Sequence, residues 1–233
     1  PHFGYRRQRQ MCIRDSSVTP GSSYTVVVGS PGASRTSNGQ QGADGGNSYF
    51  INTSTCYAQG GRKGQSSSTS QTSGKVGDGG GEGGGSTSNR GGACGAAGYS
   101  GNGGDSAYSN TQPGAAPSGG GGSAAYNFDQ QGSHGGGGVG ILGEGTSGAA
   151  PGTNTNDGNG RGGSGGADGG FATSGGGYFN AGTKGDGGDY GGGGGRGTTV
   201  SSYQTNSGAG GKGAVRIIWG NGRSFPSTNT ADV

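Results

Sequence analysis

Apolar side chains are scarce in this chain. They make up 24% of its 233 residues, against roughly 45–50% in an ordinary soluble domain, so a conventional oily core of this size is excluded. No apolar run approaches the ~18 residues that a membrane-spanning helix needs, and membrane insertion is not expected. Histidine is nearly missing as well: beyond His2 there is only His134, inside "GSHGGGG". With no second histidine or HxxE-type partner, it supports neither metal binding nor general-base chemistry, and solvent exposure is expected for it. Past the first sixteen residues the cysteines are Cys56 and Cys94. They allow one bridge, which the sequence leaves open, and one bridge cannot replace a core.

An excess of one charge is also missing, although the formal net charge is +3. Four of the fifteen basic residues (Arg6, Arg7, Arg9, Arg14) and one of the twelve acids (Asp15) fall within residues 1–16, leaving eleven of each sign. A neutral chain makes no electrostatic case for nucleic acid or an anionic membrane. The segment "YRRQRQMCIRDS" (5–16) has a texture of its own. It resembles the translation of a sequencing-library adaptor, which implies that the native chain begins upstream. Residues 1–16 are therefore set aside.

What the chain does have is glycine, 68 residues of it, and the glycines are periodic. Gly92, Gly95, Gly98, Gly101 and Gly104 share one three-residue register, with only Gly103 among the eight positions between them. Gly182, Gly185, Gly188, Gly191, Gly194 and Gly197 share another, and shorter blocks start at Gly39, Gly74, Gly132 and Gly160. A period of three is neither helical nor strand-like; it belongs to the polyproline II type of helix. Collagen is excluded, because the blocks are short and there are only 7 prolines. The expected fold is non-α and mostly irregular, with little or no α-helix. It is a bundle or sandwich of polyglycine II helices with a few short β-strands at the ends. Such helices make no internal hydrogen bonds, so glycine on the inward row lets neighbouring backbones bond to one another. At about 3.1 Å per residue the longest block would form a slim rod of about 50 Å.

Four regions follow: the adaptor-like start (1–16), an opening strand segment (17–32), the glycine bundle with its loops (33–213), and a closing strand with its tail (214–233). The two apolar runs "SYTVVVG" (23–29) and "AVRIIWG" (214–220) are expected to pair and to form, with Trp219, a small nucleus at one end. Stretches rich in Ser, Thr and Asn, such as "NSYFINTSTCYAQ" (47–59), "SAAYNFDQQ" (123–131) and "FATSGGGYFNA" (171–181), suit turns and exposed loops. Most of the aromatic residues lie in these stretches. Their rings either cap the open ends of the bundle or form a binding surface.

Catalytic signatures are not found. The acids Asp78, Glu82, Asp105, Asp168, Asp186 and Asp189 sit within or beside glycine blocks rather than as a paired-carboxylate site. "GNGGDSAYS" (101–109) has a faint likeness to a calcium-binding nonapeptide, but tandem copies are missing, so no metal and no cofactor is expected. The glycine runs lack the Walker lysine and its strand–helix context. "RGG" at Arg90 and Arg161 is too sparse to indicate RNA binding in a neutral chain.

The ending "GAVRIIWGNGRSFPSTNTADV" resembles the C-termini of glycine-rich structural proteins of marine, cyanophage-like tailed bacteriophages. "VTPGSSYTVVVGSPG" (18–32) is similar to the opening strand of glycine-rich domains in phage tail-fibre proteins. The blocks between them resemble the polyglycine II sandwich of distal adhesins on T-even-type long tail fibres. The resemblance implies an extracellular virion protein, neighboured by other fibre subunits. It would bind a bacterial outer-membrane protein or glycan through loops at the tip of the bundle. The implied contacts are Tyr108, Tyr126, Phe128, Tyr178, Phe179 and Tyr203. Successive helices of such a bundle alternate in direction, so alternate loops would gather at opposite ends; the sequence does not say which end is free. The competing classes are an ice-binding protein of polyproline II helices and a passive glycine-rich filler.

Overall fold

A computed structural model describes residues 16–34, 43–60, 74–85, 93–105, 119–124, 126–127, 132–150, 158–170, 185–195, 199–200, 203–204 and 207–219. Among these residues there is no helix, and most of the backbone is irregular. Regular pairing is confined to one four-stranded antiparallel sheet and two hairpins. The sheet runs in the order β1 (Val26–Val27), β2 (Ser48–Phe50), β3 (Cys56–Ala58), β4 (Lys75–Val76). The hairpins are β5 (Tyr126–Asn127) with β6 (Gly132–Ser133), and β7 (Thr199–Val200) with β8 (Tyr203–Gln204).

The sheet forms where β-branched and aromatic residues meet in register. Val27, Tyr49, Tyr57 and Val76 face one another as a single cross-strand row, the side-chain type that suits a half-buried pleated surface. On the other face the Tyr24 and Phe50 rings lie 5.9 Å apart. The stretch 47–59, expected as a loop, is therefore two strands and a tight turn. Asn52 Oδ1 organises that turn, accepting from Ser54 N at 2.9 Å, Ser54 Oγ at 2.8 Å and Thr55 Oγ1 at 2.9 Å. Its Ser, Thr and Asn content marks the turn between the strands and conceals the strands themselves.

The glycine segments bond side by side, and their bonds recur every third residue. Gly135 and Gly138 donate to Gly170 and Ala167, an antiparallel exchange, while Gly160 and Gly163 donate to Gly135 and Gly138, a parallel one. Segment 134–140 is buried throughout. It exchanges amide–carbonyl bonds with six other segments: 93–98, 119–124, 158–163, 166–170, 185–188 and 192–195. Its glycines are needed on every side. A Cβ on Gly135 or Gly138 would lie 1.8 Å from the carbonyl oxygen of Asp186 or Asp189. One on Gly137 or Gly140 would lie 2.0 Å from that of Arg161 or Ser164, and one on Gly136 would lie 1.9 Å from Cys94 O. Each of the three rows meets a different neighbour, so a fully surrounded segment reads "GGGG" where a peripheral one needs glycine once in three.

The long blocks are not single rods. The 92–104 block folds back at Tyr99–Ser100, where Gly98 N donates to Gly101 O at 2.8 Å and Gly95 N to Gly104 O at 3.0 Å. Gly95 and Gly98 therefore lie on one limb, and Gly101 and Gly104 on the other. The 182–197 block reverses at Asp189–Gly191, with Tyr190 at φ 63° and Gly191 at φ 110°. That reversal separates Gly185 and Gly188 from Gly194. Gly92, Gly182 and Gly197 lie outside the described residues. A three-residue register survives such a turn when the turn keeps phase, so periodicity alone does not distinguish one long segment from two short antiparallel ones.

The expected nucleus around Trp219 does not form. Trp219 is 78% exposed, Val26 and Val27 pair with Phe50 and Tyr49, and 214–219 is not a strand. The C-terminal segment instead meets the first one further along, through Gly210 N to Gly32 O and Gly213 N to Gly29 O. The apolar cluster consists of Ala96, Tyr99 and Val139, with Tyr190 packed against it. Tyr99 is fully buried, and its hydroxyl accepts from Gly143 N at 2.6 Å. His134 is likewise inside, 2% exposed, because it opens the central segment. Cys94 forms no disulfide, so Cys56 and Cys94 are not bridged to each other.

Candidate functional site

The bond directions give the set of laterally bonded segments two unlike ends. Segments 81–85, 101–105, 119–124, 145–150, 166–170 and 192–195 run one way, and 93–98, 134–140, 158–163, 185–188 and 207–213 run the other, as the parallel and antiparallel exchanges require. The connections at one end are short: Ile51–Thr55, 77–80, Tyr99–Ser100, 141–144, Ser164–Gly165 and Asp189–Gly191. Both limbs of β5–β6 and of β7–β8 extend from the opposite end. So do the described residues bracketing 35–42, 61–73, 86–92, 151–157 and 171–184. Connection 106–118 joins Asp105 at that end to Gly119 at the other.

The proposed contact residues distribute accordingly. Tyr126 stands on β5 opposite Ser133, and Tyr203 on β8 opposite Val200. These two hairpins leave the same end of the bundle. Tyr108, Phe128, Tyr178 and Phe179 lie outside the described residues; Phe128, Tyr178 and Phe179 fall in stretches bracketed at that end, and Tyr108 falls in the connection 106–118 that joins the two ends. The topology thus places Tyr126 and Tyr203 at one end, while Tyr49, Phe50 and Tyr57 belong to the sheet instead.

No protein-family model, curated protein or solved structure matches this chain.

The acids beside the glycine blocks have a local task that their sequence positions only hinted at. Where a segment borders solvent, its outward amides lack a neighbouring carbonyl, and side-chain oxygens take that place. Glu82 N donates to Asn102 Oδ1 at 2.8 Å and, three residues on, Gly85 N donates to Asp105 Oδ1 at 2.6 Å. Ala209 N donates to Asp186 Oδ1 at 2.7 Å. Asp168 accepts from Gly162 N at 2.7 Å through one oxygen and pairs with Arg161 at 2.8 Å through the other. Partial burial raises the Asp168 pKa, but the Gly162 amide and Arg161 outweigh it, and the net shift is downward. At the short-turn end Lys212 pairs with Asp189 at 3.0 Å and lies 5.7 Å from the centre of the Tyr190 ring. The visible signal was spacing, since Asn102 and Asp105, like Asp186 and Asp189, follow the three-residue period of the glycines.

Among the described residues no three His, Cys, Asp or Glu side chains gather as a metal-binding group. The described arrangement is a scaffold. Its backbone is fixed by lateral bonds and its margins are sealed by Asx oxygens.

Proposed function

We propose that this chain is a receptor-binding tip of a tailed-phage fibre, a polyglycine II bundle that offers the aromatic connections of one end to a bacterial surface. The finer fold reading rests on bonds that recur every third residue between extended segments, the repeat of a helix with three residues per turn and no internal bonds. The functional reading is supported by one observation: short turns lie at one end, and the hairpins bearing Tyr126 and Tyr203, with the described residues that bracket the stretches of Phe128, Tyr178 and Phe179, lie at the other; Tyr108 falls in the connection that joins the two ends. Recognition loops are commonly variable segments held by a rigid scaffold, and aromatic side chains carry a large share of contact energy at interfaces. The partners of this reading are an outer-membrane protein or surface glycan at the long-connection end and fibre subunits elsewhere, in an extracellular virion setting.

The test is adsorption of the labelled full chain to marine cyanobacterial cells, with Tyr126→Ala, Tyr203→Ala and the double variant beside it. Each single variant should lower cell-bound label about tenfold, given the ~1–2 kcal/mol typical of an aromatic contact, with the thermal melt unchanged. Full adsorption by the double variant, or no adsorption by the parent chain to any strain tried, would refute the proposal. A polyproline II-type circular dichroism spectrum with a cooperative melt is the matching check on the fold.

A further inference from the structure

Six Asp-Gly or Asn-Gly pairs fall within the described residues: Asp44–Gly45, Asp78–Gly79, Asn102–Gly103, Asn159–Gly160, Asp168–Gly169 and Asp186–Gly187. In such pairs the glycine nitrogen, unhindered by a side chain on its own residue, can attack the carbonyl carbon of the preceding side chain. A C–N bond forms and closes a five-membered succinimide. Asp loses its hydroxyl as water and Asn its amide as ammonia, each leaving group carrying off the proton from the attacking nitrogen. Water then reopens the ring at either carbonyl, restoring Asp or giving isoaspartate. The reaction needs no partner but water. It does need the nitrogen free to turn toward the side chain, and an amide already bonded to a neighbouring backbone is withheld from it.

At four of the six pairs the bundle withholds both reactants. Gly103 N donates to Glu82 O at 2.8 Å, Gly160 N to Gly135 O at 2.9 Å, Gly169 N to Gly160 O at 2.9 Å and Gly187 N to Ala209 O at 2.8 Å. The side chains are held too. Asn102 Oδ1, Asp168 Oδ1 and Asp186 Oδ1 each accept a backbone amide, and Asn159, 2% exposed, donates through Nδ2 to Gly169 O at 2.7 Å. The four sites are locked by the same lateral bonds that build the bundle.

Asp78–Gly79 differs. It lies in the bend at 77–80 that leads from β4 into segment 81–85, and Asp78 is exposed. The Gly79 amide donates no hydrogen bond to a described residue. Gly45 also lacks such a bond, but Asp44 has bonding interactions of its own, so Asp78–Gly79 is the pair with an exposed carboxylate and, although Gly79 itself is buried, an amide that donates to no described residue. We propose that Asp78 is a spontaneous isomerisation site of this protein, and that the folded bundle suppresses the same chemistry at Asn102, Asn159, Asp168 and Asp186. The inference does not depend on the receptor reading.

The experiment ages the full chain at physiological temperature and neutral pH, native and in urea, and maps isoaspartate by peptide mass spectrometry with isoaspartyl methyltransferase labelling. The tryptic peptide spanning 76–90 contains Asp78–Gly79 as its sole Asx-Gly pair. In urea Asn102 and Asn159 should convert fastest, because an amide is more readily displaced than a carboxylate. In the native chain that order should reverse. Asp78 should convert within about threefold of its urea rate, and Asn102 and Asn159 should slow by at least about tenfold, as amides closed by lateral bonds do. Asp78→Glu, which would require a slower six-membered ring, should remove the signal from that peptide. Native Asp78 that stays intact while the urea sample converts would overturn the proposal. So would native Asn102 and Asn159 converting at their urea rates, or a signal in that peptide that survives Asp78→Glu.

Discussion

Gly137→Ala tests whether backbone packing holds this protein together. The new methyl would lie 2.0 Å from Arg161 O and 2.4 Å from Arg161 C, where ordinary contact begins at 3.4 Å. Neither neighbour is a side chain that can swing aside, so segments 134–140 and 158–163 must separate by roughly 1.4 Å. Overpacking of this kind costs about 1–3 kcal/mol. The separation also strains the bonds that Gly137 makes at 2.9 Å, donating to Gly122 O and accepting from Ala96 N, each worth about 0.5–1.5 kcal/mol net. Against these stands a gain of about 0.4–1 kcal/mol from a stiffer unfolded chain. The net expectation is a loss of about 2–4 kcal/mol, or a melting temperature lowered by about 5–15 °C for a chain of this size. Gly210→Ala is the control, because its nearest neighbour, Gly32 N, would be 3.5 Å from the methyl. It should leave stability unchanged or raise it by up to ~1 kcal/mol. Thermal and urea unfolding of the two variants decides the matter. If Gly137→Ala melts within a degree or two of Gly210→Ala, close backbone contact is not what stabilises the chain.

Two further perturbations follow from the same geometry. Tyr99→Phe keeps the ring in its cluster but removes the acceptor of the Gly143 amide at 2.6 Å; it should destabilise by about 1 kcal/mol, read as a lower urea midpoint with unchanged slope. Asp168→Asn should flatten the acid limb of stability. The folded pKa of Asp168 is lowered, so its contribution is present above the unfolded value of about 3.9 and is lost as pH falls through the folded one. Both partners of the Arg161–Asp168 pair are nearly half exposed, so the effect at neutral pH should stay below about 1 kcal/mol. Urea midpoints measured from neutral pH down to about pH 2 should therefore converge for parent and variant at the acid end; a constant gap across the range would show that Asp168 contributes by packing rather than by charge.

The residues that proved informative in the sequence were those whose role follows from the backbone alone. Glycine every third position means that backbones approach closely, and that reading needs no knowledge of which segment meets which. The central "GGGG" at 135–138 lacks a Cβ on all three rows, as a segment enclosed on all sides requires, but the run at 191–195 has the same composition and is partly exposed. The Asx oxygens at Asn102 and Asp105 were legible in spacing but not in purpose, since their amide donors at Glu82 and Gly85 lie twenty residues back along the chain. His134 was misread for the opposite reason. Its polarity argued for the surface, but segment 134–140 is the one that six others surround. Trp219 was expected in a nucleus because the apolar runs 23–29 and 214–220 read as partner strands, yet the apolar cluster forms elsewhere, around Tyr99 and Val139.

By itself, the sequence determined that this protein has too few apolar side chains for an ordinary core, lacks a helical or strand period across its glycine blocks, and must satisfy a large number of bare amides laterally. Only the tertiary structure decided where the blocks fold back, which segment lies at the centre, and that the described tight turns gather at one end. The reason is physical. A three-residue period specifies which rows of a segment can be approached, but every glycine row presents the same amides and carbonyls. The choice of neighbour is therefore left to the turns, to the apolar cluster around Tyr99, and to the side-chain oxygens that close the margins.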